Sequence, residues 1–337
     1  MRIFLYNLIV LLLLSSCASP YVIQLEVQKA PEMYISPGVR SITIVDNSVN
    51  QSPYEGHTIS YGNKVQRLYQ ETDSLNKNLL MELSRAFESM GIKTRLIQES
   101  IRTDSNYLSK SVVNKNKIAQ ILKGDSPDLI LFLDRGLTTS SLSLAGMESS
   151  NAFFVKYDLA YQTDFRFYDP HKQTDLIELN KRSAHGWEHI DWSVDNVLQV
   201  FQFNNLREEV LMSKLDQIMK ALFPYIITSD RILYCNTNLN MKDALRYAKR
   251  HNLNDASIIW QYLYDNSKKE TERFYCAMNL AYFYETQNML SQTHFWLRNA
   301  KNFSSVASEE NLDYLKKYTV EIENRMSESL PVRIGDY

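Results

Sequence analysis

The residues best equipped for chemistry lie at 185–189. His185-Gly186-Trp187-Glu188-His189 reads H-x-x-E-H, two imidazoles and a carboxylate at the spacing of a zinc-dependent hydrolase. That chemistry needs both histidines one helical turn apart on one face, the glutamate as general base and another carboxylate as third ligand. Gly186 and Trp187 interrupt helix propensity, and the segment follows a run that reads as a strand. Third-ligand candidates such as Glu272 fall in a distant helical region. The expectation is solvated or turn-packed histidines, with no catalytic residue and no metal; a metal-dependent hydrolase using 185–189 is the alternative. Asp46, Asp128 and Asp134 form a second candidate set, at strand ends where α/β enzymes place catalytic groups. Aspartates there equally serve as turn and cap residues. The sequence has no glycine-rich phosphate loop and no G-x-S-x-G elbow, and no cofactor is expected.

Cys17 offers a different chemistry. Ile3 to Leu14 is apolar except for Asn7. This run is far short of the roughly 20 residues that span a bilayer and suits the core of a secretory signal. The following Leu14-Ser15-Ser16-Cys17 resembles the lipobox of bacterial lipoproteins. The resemblance implies a signal peptide over 1–16, cleavage before Cys17 and a diacylglycerol on its thiol. Each buried methylene then contributes about 0.8 kcal/mol to anchoring. Ala18-Ser19-Pro20 lacks the Asp that resembles an inner-membrane retention signal in enteric bacteria. It also lacks an acidic run resembling the surface-export signal of Bacteroidota lipoproteins, so the implied address is the periplasmic face of the outer membrane. Cys235 and Cys276 are expected as separately buried thiols, although such a compartment permits a disulfide.

These groups must be positioned by a chain of 337 residues with a net charge of −2, which advertises no nucleic-acid partner. Nine glycines against 21 tyrosines favour regular elements over linkers. Residues 17–39 read as lipid anchor and tether, although Tyr21, Ile23, Leu25 and Val27 alternate as a strand would. An α/β domain is expected over 40–230. Ser41–Asp46 and Thr94–Gln98 suit strands, and 128–134 suits a strand buried on both faces. Leu75, Leu79, Leu83 and Phe87 mark an amphipathic helix stopped by Gly91, and a short helix ends at Gly124. Alternate residues from Phe153 to Phe167 predict a long strand with an aromatic core face, returning through 175–180. A helix over about 205–223 closes a mixed sheet packed by helices.

The segment Ala30-Pro31-Glu32 through Arg40-Ser41-Ile42-Thr43-Ile44-Val45-Asp46-Asn47 resembles the start of an uncharacterised family of Bacteroidota lipoproteins. The resemblance implies a lipid-anchored α/β domain followed by tetratricopeptide-like helices. The element order of the first domain is also similar to TolB-N and curli-secretion-lipoprotein domains, a likeness of fold that carries no activity. Over 231–330, Leu280, Ala281, Tyr284, Leu297 and Ala300 fall at tetratricopeptide offsets, with Thr293 in place of an alanine. Ala244, Tyr247, Ala256 and Trp260 repeat the pattern 37 residues earlier, Asp243 and Leu263 departing from it. An extended loop around 267–270 is expected to absorb the spacing, and 311–326 reads as a capping helix. Such repeats stack into surfaces for peptides or partner helices. The function expected is thus a non-enzymatic, lipid-anchored envelope scaffold, contacting the membrane through its lipid and an envelope protein through its helices. A glycan-binding lipoprotein is a further alternative.

Overall fold

The computed structural model describes residues 20–70, 73–97, 102, 106–110, 113, 115–146, 152–191, 203–327 and 332–335. After β1 (Tyr21–Lys29) come β2 (Met33–Ile35), β3 (Ser41–Asp46), β4 (His57–Tyr61) and β5 (Lys64–Arg67). Then follow α1 (Asp73–Ser89), β6 (Lys93–Ile97), α2 (Lys115–Leu122), β7 (Leu129–Gly146), β8 (Phe153–Asp169), β9 (Thr174–Asp191) and α3 (Phe203–Leu222). β10 (Tyr225–Leu233) leads into α4 (Leu239–Lys249), α5 (Leu253–Asn266), α6 (Glu270–Thr286), α7 (Leu290–Lys301) and α8 (Glu309–Ser327), and β11 (Val332–Ile334) comes last. Two compact units result: Pro31–Phe223 with Pro331–Tyr337, and the chain before Pro31 with Pro224–Leu330.

In the α/β unit, β7 is the organising strand. Its first residues pair in parallel with β3, and further along it pairs in parallel with β4. Its other edge runs antiparallel to β8, which in turn pairs with β9. β6 flanks β3, giving a mixed sheet. The alternation in β8 does what period-two patterning dictates: Val155, Tyr157, Leu159, Tyr161, Phe165 and Phe167 are buried. They share one core with Leu79, Leu83 and Phe87 of α1 and Val210 and Ile218 of α3. Each such side chain contributes about 1.5–3 kcal/mol when fully buried. Val45, Ile130, Phe132 and Tyr168 form a separate cluster with Ile118 and Ile121 of α2. Gly91 ends α1 in a left-handed conformation (φ +81), which lets the Ile92 amide bond back to the Phe87 carbonyl at 3.0 Å.

Three expectations are corrected. Residues 21–29 are not tether: β1 pairs along its whole length with β10, from Tyr21↔Leu233 to Lys29↔Tyr225. The boundary expected at 230/231 would cut β10, and the units divide before Pro224 instead. No extended loop follows α5; α6 begins at Glu270 and, at 17 residues, takes up the longer repeat spacing itself. The β4–β5 hairpin and the distal halves of β7 and β9 extend beyond the strands expected from the sequence: β5 is mostly polar, and serines, glycines and charged residues dilute the β signal in the far parts of β7 and β9. Among the described residues no helix is long and apolar enough to cross a membrane.

Candidate functional site

The strand-end carboxylates do not converge on a free site. Asp134 lies where the β7–β8 register shifts, a bulge that turns its carboxylate toward the buried Arg166. Its Oδ2 accepts from Arg166 Nε at 2.7 Å, and its Oδ1 from Asn47 Nδ2 at 2.6 Å and Arg166 Nη2 at 3.1 Å. Arg166 also donates to Asp175 and lies 4.5 Å over the Phe132 ring. Asp46, one strand away, accepts from the amide and hydroxyl of Ser48 at 2.9 and 2.6 Å. Burial raises its carboxyl above the ordinary range despite those bonds. From Ser48 the network passes to Asn76 and then Tyr161, at 3.1 and 2.8 Å. Asp128 immediately precedes β7, six residues before Asp134, and accepts from the Arg40 amide, the Ser41 amide and the Ser41 hydroxyl at 2.8–3.0 Å. Burial pushes its carboxyl up, but these bonds outweigh burial and hold it low. All three aspartates hold backbone or neighbouring side chains.

The H-x-x-E-H segment lies inside β9, not in a turn. Four residues along a strand separate two positions by about 13 Å on the same face, against one helical turn in a zinc site. Trp187 stands between the histidines, stacked on His185 at 5.9 Å and on Tyr157 at 5.8 Å, with its indole donating to Glu209 of α3 at 3.1 Å. Among the described residues no group of three His, Cys, Asp or Glu is gathered to hold a metal. Sequence reasoning missed a Ser–His contact: His57 Nδ1 lies 2.9 Å from Ser140 Oγ. Both are buried, and the serine hydroxyl is committed to Gln70 Oε1 at 2.6 Å. Desolvation, with Arg207 nearby, pulls the His57 imidazole down to about 4, so it is neutral at physiological pH.

The helical unit gathers its recognisable residues differently. Of the repeat positions, Ala244, Ala256, Trp260, Leu280, Ala281, Leu297 and Ala300 are buried, and Tyr247 and Tyr284 are half-buried against them. Cys235 and Cys276 are free, buried thiols. The unforeseen feature is the polar seam where β10 meets α6. Asn279, fully buried in α6, mimics a neighbouring strand: its Oδ1 accepts the Tyr234 amide at 2.8 Å and its Nδ2 donates to the Tyr234 carbonyl at 2.9 Å. Two turns earlier Glu272 accepts from Asn236 and Asn238, each at 2.9 Å. Tyr234 stacks on Tyr275 at 4.9 Å. A signal was present, since the apolar residues of α6 run consecutively from Phe274 to Met278 and from Leu280 to Tyr284 and are not confined to one stripe, as in a helix covered on all sides. Exposed apolar side chains of the helical unit include Ile258 and Tyr262 on α5 and Phe295 on α7, along with Leu239 on α4 and Val320 and Met326 on α8.

A family model described as a domain of unknown function, DUF6340, matches residues 242–324, inside the helical unit. No curated protein matches this chain. Among solved structures, the chain is similar to a protein described as a neuraminyllactose-binding hemagglutinin homolog from Helicobacter pylori, at 9% identity and TM-score 0.28, covering 56% of this chain and 90% of that one. It is similar to the PelC dodecamer from Paraburkholderia phytofirmans at 11% identity and TM-score 0.25, covering 59% and 98%. It is similar to lipoprotein GNA1162 from Neisseria meningitidis at 9% identity and TM-score 0.22, covering 53% and 97%.

Proposed function

We propose that this chain is a cell-envelope lipoprotein, acylated at Cys17 and held on the periplasmic face of the outer membrane, that works as a non-enzymatic scaffold. The helices carry the interaction in a tetratricopeptide-like arrangement. One observation supports this best. Its own strand β10 covers the central helix α6, while Ile258, Tyr262 and Phe295 on the neighbouring helices stay open to solvent. Ile258 and Tyr262 stand one turn apart on α5, and contiguous exposed apolar surface, unlike single exposed side chains, marks contact surfaces. The partner is another envelope protein, met through α5 and α7. The polar networks of the α/β unit hold its sheet together in this reading and take no part in turnover.

Photocrosslinkers placed at Ile258, Tyr262 and Phe295 in cells, followed by pull-down, test the proposal. A single envelope protein captured from these sites, and lost on Ile258→Asp or Phe295→Asp, is the expected result. Recovery of only the lipid-processing machinery sinks it. Labelled palmitate tests the anchor: incorporation is expected in the native chain and not in Cys17→Ser.

A further inference from the structure

Only Ala18, Ser19 and Pro20 separate Cys17 from Tyr21, where β1 begins. At 3.3–3.6 Å per extended residue, the start of β1 lies no more than about 14 Å of chain from Cys17. The surface around Tyr21 therefore faces whatever surface holds that cysteine. Lys249, in the last turn of α4, sits 4.1 Å from the centre of the Tyr21 ring. Lys242, Arg246, Lys249 and Arg250 recur at helical spacing, and all are exposed. Positions i, i+4, i+7 and i+8 fall within about a third of the helix circumference, so the four cations form one stripe. Asp243 is the carboxylate among them, and it bonds Arg246 at 2.8 Å. Tyr21 and Val22 present exposed apolar surface at the same strand end. In a chain whose net charge is −2, this is a local concentration of positive charge.

We propose that the exposed stripe of α4, with Tyr21 and Val22 at its margin, docks on anionic phospholipid headgroups of the membrane that holds the chain. The inference rests on the reading of Cys17 as the lipid anchor. The acyl chains supply attachment. The α4 cations then fix which side of the helical unit faces the lipid, each strengthening partition onto an anionic surface about fivefold.

The chain from Ala18 onward keeps every described residue and lacks the lipid, so it tests the face by itself. Sedimentation with phosphatidylcholine vesicles containing about a third phosphatidylglycerol is the measurement, with pure phosphatidylcholine as comparison. Binding to the anionic vesicles alone is expected, falling away at high salt as screening requires. The variant K242E/R246E/K249E/R250E is expected to lose at least a hundredfold in partition. A second measurement needs no substitution: anionic vesicles should slow amide exchange over 242–250 in the unaltered chain. Equal binding to both vesicles, binding to neither, or anionic binding without protection of 242–250 overturns the proposal. Mass spectrometry of the N-terminus of cell-derived protein judges the Cys17 reading separately. An unacylated cysteine would refute the anchor while leaving the vesicle result to stand or fall by itself.

Discussion

Arg231 meets Glu285 side-on, its Nε 2.7 Å from Oε2 and its Nη2 2.8 Å from Oε1, with both side chains sealed from water. The pair joins β10 to α6. Helix α8 closes it: Tyr318 donates to Glu285 Oε2 at 2.5 Å, Arg325 donates to Oε1, and the Tyr318 ring lies 4.3 Å under the Arg231 guanidinium. Glu321 accepts a further Arg231 bond at 2.8 Å. Every face of the carboxylate is thus answered, the condition under which a buried ion pair is tolerated.

Glu285→Leu leaves two buried guanidinium groups facing an apolar side chain. It is expected to destabilise the helical unit by about 3–5 kcal/mol, read as a lower denaturation midpoint. A loss under about 1 kcal/mol would show that the seam contributes little. Burial pushes the Glu285 carboxyl up, but Arg231, Tyr318 and Arg325 outweigh it and hold it below the ordinary value. The folded form therefore loses its proton more readily than the unfolded one. The resulting stability is present above the ordinary carboxylate range and disappears as pH falls through the depressed folded value. Glu285→Gln should flatten that acid limb.

Gly136 in β7 is where the polar network leaves no room. A Cβ there would lie 2.1 Å from Asn76 Oδ1, and Asn76 is held by Tyr161 and Ser48. Gly136→Ala should cost about 2–4 kcal/mol through overpacking and lost bonds. Gly146, with nothing near its Cβ position, should accept alanine within about 0.5 kcal/mol. Chemical denaturation of the two variants decides the matter, and equal midpoints would refute the clash.

How much of this could be read beforehand depended on whether a residue's role was local. The β8 alternation and the apolar spacing of α1 are local, and both gave the right element and the right buried face. The pairing of β1 with β10 joins distant parts of the chain, and alternation in 21–27 could announce a strand but not its partner. Polar residues were misleading for the same reason. Asp134 reads as a strand-end carboxylate, and only the fold reveals Arg166 beside it. Asn279 and Glu285 are polar residues of α6 that drew no reading from sequence, and their partners Tyr234 and Arg231 are more than 40 residues away in the chain. The histidines at 185 and 189 depended on the element type, and a strand spreads what a helix would have gathered.

Lys214 in α3 is fully buried, and its ammonium donates to no described group; it lies 5.7 Å from the centre of the Tyr161 ring. Desolvation, with Lys181 adding repulsion, lowers it to about 7. Between that value and the ordinary lysine range near 10.5, the unfolded chain binds a proton that the folded chain has shed. Stability should therefore climb as pH rises from about 7 toward 10.5. Lys214→Met should be the more stable protein at neutral pH, and its profile should lack that climb. A variant less stable than the parent at pH 7 would reveal a partner for the amine.

Cys235 and Cys276 are buried, and burial raises both thiols above their ordinary value. Iodoacetamide at pH 8 should leave both intact in the folded protein and modify both in denaturant, as counted by mass spectrometry. Rapid labelling of either in the native state would mean that its surroundings open.

The chain crosses between its two units after Ala30, after Phe223 and after Leu330, and β11 returns to lie parallel beside β2. Neither unit is thus encoded by one continuous stretch. During synthesis, β1 has no partner until β10 exists, roughly two hundred residues later, and β2 waits longer still for β11. The first described strand is made early and paired late. A strand left unpaired is exposed to wrong neighbours until its partner has been made. Folding is therefore a contest between completing the chain and capturing its first strand elsewhere.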